Sequence, residues 1–172
     1  DKLDRMSPFD GLTGLSNRVG FQIQADKYKM YAKSSGRSLY ISFIDIDGLK
    51  KVNDTYGHHE GDWLIKTIGE CLKKASREEE VCMRFGGDEF IVLMRSVPDR
   101  AAVQAIAERI LSSDDNALKV TKSIGISLYP DDAGKLSDLM HLAELALHAS
   151  KQAKYAQTPA RPTAAPAGDL TF

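Results

Sequence analysis

The sequence predicts an α+β domain: a central, mainly antiparallel sheet flanked by helices. Three observations support this. Segments with apolar residues at helical spacing alternate with short runs rich in aromatic and β-branched residues. Two of those runs, residues 81–85 and 90–94, are separated only by Gly86-Gly87-Asp88-Glu89, a spacing that suits a hairpin. No internal repeat interrupts the pattern, so helices interleaved with a hairpin-containing set of strands imply an antiparallel or mixed sheet covered by helices.

The elements follow in order. Residues 1–9 carry Leu3 and Met6 at helical spacing and read as a connecting helix from an upstream partner domain, and the absence of an initiator methionine agrees. Residues 17–34 read as a helix, 39–46 as a strand, and 48–56 as a short helix. Residues 62–76 form a longer helix with Leu64, Ile68, Leu72 and Ala75 on one face, and Asp62 is placed to cap it before Trp63. In the hairpin, Gly86 and Gly87 are expected to supply the positive φ of a tight turn, and residues 90–94 to be buried on both faces. Residues 101–111 read as helical, 119–129 as extended and 136–155 as helical. Beyond them Pro159, Pro162 and Pro166 among Ala and Thr indicate a disordered tail, or a linker to a downstream domain. The expected division is thus 1–9, a folded domain over 10–156, and a tail over 157–172.

Composition bounds the function. At 172 residues, 42% hydrophobic and 27% charged, the chain can bury one core of ordinary size. A net charge of −1 gives no bulk attraction to nucleic acid or an anionic membrane, so an anionic ligand must be held by a local site. Cys71 and Cys82 lack metal-ligand spacing and read as reduced cysteines of a cytoplasmic domain. No signal peptide or apolar span accompanies the glycosylation-like triplet Asn53-Asp54-Thr55, which is discounted.

The acidic residues suggest chemistry. Asp45 and Asp47 lie two apart at a strand end, so both carboxylates leave one face of the sheet. If the hairpin pairs with this strand, Asp88 and Glu89 approach the same edge, and such a group of acids invites a cation. Oxygen ligands of this kind suit Mg²⁺ or Mn²⁺ rather than zinc. Taken alone, Gly-Gly-Asp-Glu is equally ordinary turn chemistry, and Asp45 alone suits a strand-end turn. No Walker loop, Rossmann fingerprint, HExxH pair or EF-hand loop is present, so phosphate would meet the free amides near Gly48 and Leu49, with Lys50 adding charge.

Arg84-Phe85-Gly86-Gly87-Asp88-Glu89-Phe90 matches letter for letter the motif that names the GGDEF family, the diguanylate cyclases. Asp10 to Arg18 resembles the family's opening motif, and Phe43 to His58, continued by Gly61-Asp62, resembles its first strand and following helix. Ser123 to Ser127 and Ala143 to Lys151 are similar to its last core strand and closing helix. The resemblance implies a fold similar to the palm of class III nucleotide cyclases. It also implies condensation of two GTP into cyclic di-GMP and two pyrophosphates, by attack of a ribose 3′-hydroxyl on an α-phosphate across an antiparallel homodimer.

Residue by residue, the resemblance makes the Asp45 carboxylate and the Ile46 carbonyl metal ligands, with Asp88 binding the metals and Glu89 assisting. Asn53 and Asp62 match the guanine-binding positions; an aspartate can accept from the N1 and N2 donors that adenine lacks. Gly48, Leu49, Gly86, Gly87, Lys50 and Lys151 fall to substrate binding. The chain departs from the pattern at Tyr155, where the family usually has arginine, with Lys154 adjacent; triphosphate binding is therefore expected to be weakened. His148 replaces the motif's tyrosine and is expected to pack or face solvent. Arg77 and Glu80 stand where many members carry an inhibitory Arg-x-x-Asp product site. Glu80 is a methylene too long and Glu78 and Glu79 add negative charge, so an acidic turn without ligand is the better reading. The competing function is a non-catalytic GTP-binding regulatory module of a larger signalling protein, and an ATP-directed cyclase is a weaker one.

Overall fold

The computed structural model of the chain describes residues 7–112 and 122–157. Its elements run α1 (Arg18–Ser35), β1 (Leu39–Ile46), α2 (Leu49–Tyr56), α3 (His58–Ala75), β2 (Glu80–Arg84), β3 (Glu89–Arg95), α4 (Arg100–Ser112), β4 (Lys122–Tyr129) and α5 (Leu136–Gln157). Among the described residues four strands form one sheet, ordered β2-β3-β1-β4, and every pairing is antiparallel. The α+β expectation is met.

Local chemistry explains most boundaries. Asn17 caps α1, its side chain accepting from the amides of Val19 and Gly20 at 3.0 and 3.1 Å, and Gly36 closes the helix at φ 66°. The β1 strand lies between β3 and β4 and is buried at every residue, as a run of this apolarity requires. Its alternate side chains enter two cores. Tyr40, Ile44 and Ile46 pack with Leu64, Ile68 and Leu72 of α3 and with Val103 of α4. Leu39, Ile41 and Phe43 pack on the other face with Phe21 and Ala25 of α1 and with Leu139, Ala143 and Leu147 of α5. Each large side chain so buried contributes on the order of 1.5–3 kcal/mol.

Four expectations are corrected. Helix α3 begins at His58, four residues before Asp62, because Gly57 at φ 93° turns the chain from α2 directly into it; Gly57 is the cap, and Asp62 lies inside the helix. Gly86 and Gly87 do not adopt positive φ. Their loop spans four residues between β2 and β3, closed by hydrogen bonds from the amides of Phe85 and Gly86 to the Glu89 carbonyl, and no mirror-image turn is needed. Residues 7–9 are not helical: Phe9 makes an isolated bridge to Ser16, so a connecting helix over 1–9 does not reach them, and its remainder lies outside the described residues. Gln157 still belongs to α5, whereas the rest of the expected tail, like the expected start of β4 at residues 119–121, falls outside them.

Candidate active site

The site is built at one end of the three adjacent strands β3, β1 and β4. Asp45 pairs in register with Glu89 on β3 and with Ser123 on β4, and the Ile46 amide donates to the Asp88 carbonyl at 3.0 Å. The sheet thereby brings Asp45, Ile46, Asp88 and Glu89 together, although more than 40 residues separate the two pairs. Helix α5 adds charge from above: Lys151 Nζ lies 2.7 Å from Asp45 Oδ1 and 3.8 Å from Asp47 Oδ1. Lys154 Nζ lies 3.5 Å from Asp47 Oδ2 and 3.1 Å from Ser123 Oγ, and also meets the Lys122 carbonyl. Ser123 Oγ in turn donates to the Asp47 carboxylate, 3.0 Å from its nearer oxygen.

Negative charge exceeds positive here. Burial lifts the Asp45 carboxyl above its ordinary range; Lys151 pulls it back, while Asp88 and Asp47 push it further. Glu89 is raised by burial and then by Asp45 and Asp88. Lys151, opposed by burial, is nevertheless held more basic than usual by Asp45, Asp47 and Asp88. Acid and base of one ion pair are thus both raised, Asp45 chiefly by burial and Lys151 because it faces the three carboxylates of Asp45, Asp47 and Asp88.

Donor chemistry favours a hard divalent cation. Asp45 is 6% exposed, and its Oδ1 lies 2.7 Å from the Lys151 ammonium. Among the described residues, however, no three Asp, Glu, His or Cys groups converge closely enough to hold a metal ion alone. Any divalent cation held there would need substrate phosphates or water to complete its shell.

The remaining predicted residues divide. Helix α2 starts at Leu49 after Gly48 at φ 88°, with no side-chain cap, so its first amides are free as expected. Lys50 is exposed on that helix. Asn53 lies against α3 so closely that a Cβ on Gly61 would sit 1.8 Å from Asn53 Oδ1; glycine at 61 is what lets the two helices meet there. Asn53 Oδ1 is buried without a partner, and the exposed Asp62 follows Gly61 directly. His148 and Tyr155 are exposed, the latter by 69%, and Tyr155 brings no charge to the site.

Arg77 and Glu80 are not brought to the carboxylates. They close a turn on each other, the Arg77 amide donating to Glu80 Oε2 and the Glu80 amide to the Arg77 carbonyl, both at 3.0 Å. They border a cleft of about 450 Å³ with Gln24, Tyr28, Lys73 and Ser76. Cys82, also on its wall, is buried, and that burial pushes its thiol up to about 11.

Sequence reasoning missed the support of the hairpin. Arg84 donates from Nε to the Gly86 carbonyl at 3.1 Å and from an outer nitrogen to the Gly87 carbonyl at 3.0 Å, and it pairs with Asp10 at 3.4 Å. Asp10 is itself fixed by the amide and hydroxyl of Thr13, both at 2.8 Å. Arg18 covers the Phe85 ring at 4.0 Å, and Phe85 meets Phe43 edge-on with ring centres 5.2 Å apart. The available signal was the polar opening motif Asp10 to Thr13, for which no ligand role was found. Ser123 and Lys154 as partners of Asp47 were missed as well.

Comparison with known proteins agrees with this fold. The family model described as "Diguanylate cyclase, GGDEF domain" matches residues 7–157. The diguanylate cyclase TpbB of Pseudomonas aeruginosa is 32% identical over 151 residues, spanning 83% of this chain and 35% of that protein. The cyclic di-GMP phosphodiesterase NbdA of the same organism is 36% identical over 156 residues, spanning 87% of this chain and 20% of that protein. The chain therefore spans only a fifth to about a third of the curated relatives named. A solved sensory box/GGDEF family protein from Caulobacter crescentus superposes with TM-score 0.78 at 36% identity, over 86% of this chain and 99% of the other. The isolated GGDEF domain of TpbB also gives 0.78, at 32% identity, covering 84% and 89%. With the family model covering residues 7–157 and solved GGDEF structures superposing over most of the chain, this chain belongs to the GGDEF domain family.

Proposed function

We propose that the chain is the diguanylate cyclase module of a larger signalling protein, condensing two GTP into cyclic di-GMP and two pyrophosphates. The observation that supports this best is the register that sets Asp45 beside Glu89, with Lys151 above them. Asp45, the Ile46 carbonyl and Asp88 would hold Mg²⁺ or Mn²⁺, which when bound activates the attacking hydroxyl and offsets charge on the phosphates. Glu89 accepts the hydrogen bond of the attacking 3′-hydroxyl. The amides at Gly48 and Leu49, with Lys50, receive the terminal phosphates, while Gly86 and Gly87 leave room beside the acids. Asn53 and Asp62 select guanine. Lys151 neutralises the triphosphate, and Lys154 supplies the second positive charge that Tyr155 does not.

One such site holds one GTP, so the reaction needs two copies facing each other as a homodimer. The chain acts in the cytoplasm, downstream of a sensor domain and with neither nucleic acid nor membrane as a direct partner; none of its described helices is long and apolar enough to cross a membrane. Arg77 and Glu80 form an acidic turn without product.

One observation favours a second reading, GTP binding without turnover: the exposed, uncharged Tyr155 leaves α5 a cation short. Incubation with GTP and Mg²⁺ followed by separation of the products distinguishes the two. Cyclic dinucleotide, at a specific activity that rises with protein concentration, supports the cyclase; bound but unconverted GTP supports the regulatory module.

A further inference from the structure

Two ammonium groups on one turn of α5 already pair with the two carboxylates at the end of β1. Lys151 Nζ is in contact with Asp45 Oδ1, and Lys154 Nζ is 3.5 Å from Asp47 Oδ2, on a carboxylate that also receives the Ser123 hydroxyl. Asp45 Oδ1 is buried where Lys151 meets it, so a cation reaching that oxygen has to displace the ammonium. An ammonium and a divalent cation cannot share that oxygen without strong repulsion at short range in a half-dry site. The body of α5 is not free to retreat, because Gly125 lets its backbone press directly on β4 at Ala143 and Leu147. What can move is the lysine's flexible four-carbon stem.

Building on the nucleotide and metal reading above, we propose that Lys151, aided by Lys154, is a resident counterion of the carboxylate site. It holds Asp45 until metal and triphosphate arrive together, and then exchanges Asp45 for phosphate oxygens. The lysine thus competes with the cation when no nucleotide is present and cooperates with it when one is. Metal and triphosphate consequently bind with positive coupling, each raising the affinity of the other by the same factor. The device keeps the buried acids neutralised in the empty protein and disfavours metal without substrate.

Titration of the 172-residue chain with Mn²⁺, following loss of the free-ion electron paramagnetic resonance signal, tests this without any turnover. The titration is run alone and with the α,β-methylene analogue of GTP, which lacks the bond that would break. Without nucleotide, Lys151→Met should bind Mn²⁺ roughly tenfold or more tightly than the parent. Lys151→Arg, which keeps the charge, should stay near the parent. With the analogue the order should invert, the parent binding Mn²⁺ more tightly than Lys151→Met. The inference is overturned if Lys151→Met binds Mn²⁺ no more tightly than the parent, or if Lys151→Arg binds it as tightly as Lys151→Met. If the parent makes cyclic dinucleotide while Mn²⁺ affinity ignores residue 151, the counterion role fails and the cyclase reading stands. If no variant takes up Mn²⁺ even with the analogue, the metal reading itself fails and takes this inference with it.

Discussion

Replacing Gly125 by alanine should damage stability and nucleotide binding together. Gly125 lies in β4 opposite Phe43 of β1, where α5 crosses the sheet. A Cβ there would stand 2.0 Å from the Ala143 carbonyl oxygen and 2.3 Å from the Leu147 amide nitrogen. Ordinary contact begins near 3.4 Å, so a gap of about 1.4 Å must open, and both atoms are backbone that cannot rotate aside. Overpacking costs about 1–3 kcal/mol where side chains can yield, and rigid neighbours put this site at about 3 kcal/mol or more. For a chain of this size that lowers the melting temperature by about 6–12 °C. Because Lys151 lies one helical turn beyond Leu147, lifting α5 also draws its ammonium away from Asp45. GTP affinity should fall about tenfold or more, since a charged hydrogen bond contributes roughly 1.5–3 kcal/mol. Thermal and urea denaturation with a GTP titration measure both effects. Gly134→Ala, whose new Cβ would meet nothing within 4 Å, serves as the control and should change stability by no more than about 0.5 kcal/mol. A Gly125→Ala protein with the parent's melting temperature and GTP affinity would refute the account of how α5 is seated.

Three further outcomes are expected. Glu89 is raised by burial and by Asp45 and Asp88, so its ionisation opposes folding: the benefit of the protonated form is present at acid pH and lost as pH rises through the folded pKa. Glu89→Gln should therefore melt higher than the parent at pH 7, with the gap closing below about pH 4, while abolishing dinucleotide synthesis. Asp10 behaves oppositely. Burial opposes its charge, but the Thr13 and Arg84 contacts outweigh that and hold its carboxyl below the usual range, so its contribution is present at neutral pH and lost as pH falls through the folded pKa. Asp10→Asn should cost about 1–2 kcal/mol at pH 7 and progressively less below about pH 4, measured by denaturation across pH. Asp62→Ala should weaken GTP binding by roughly tenfold to a hundredfold while leaving the melting temperature within about 2 °C, because Asp62 is exposed and caps nothing. A large loss of stability in that variant would make Asp62 structural instead.

Local pattern determined a good deal of this protein. Strand β1 is legible at its exact bounds because an apolar, β-branched run reports its own burial, and the expected helix over 17–34 falls within a residue of α1 at each end. The motif Arg84 to Phe90, with Asp45 and Asp47, points to a carboxylate site for the same reason: residue types and short spacings lie within one strand or one turn. Other features depend on contacts that no window of sequence contains. The start of α3 is decided by the backbone of Gly57 between two packed helices, and so Asp62 is not its cap. The hairpin glycines need no positive φ, because a four-residue loop is held from outside by Arg84, Arg18 and Asp10. The charge state of the site is likewise a tertiary property. Lys151 and Lys154 reach Asp45 and Asp47 across about a hundred residues of chain, and only the sheet register and the close seat of α5 on Gly125 set those charges against one another.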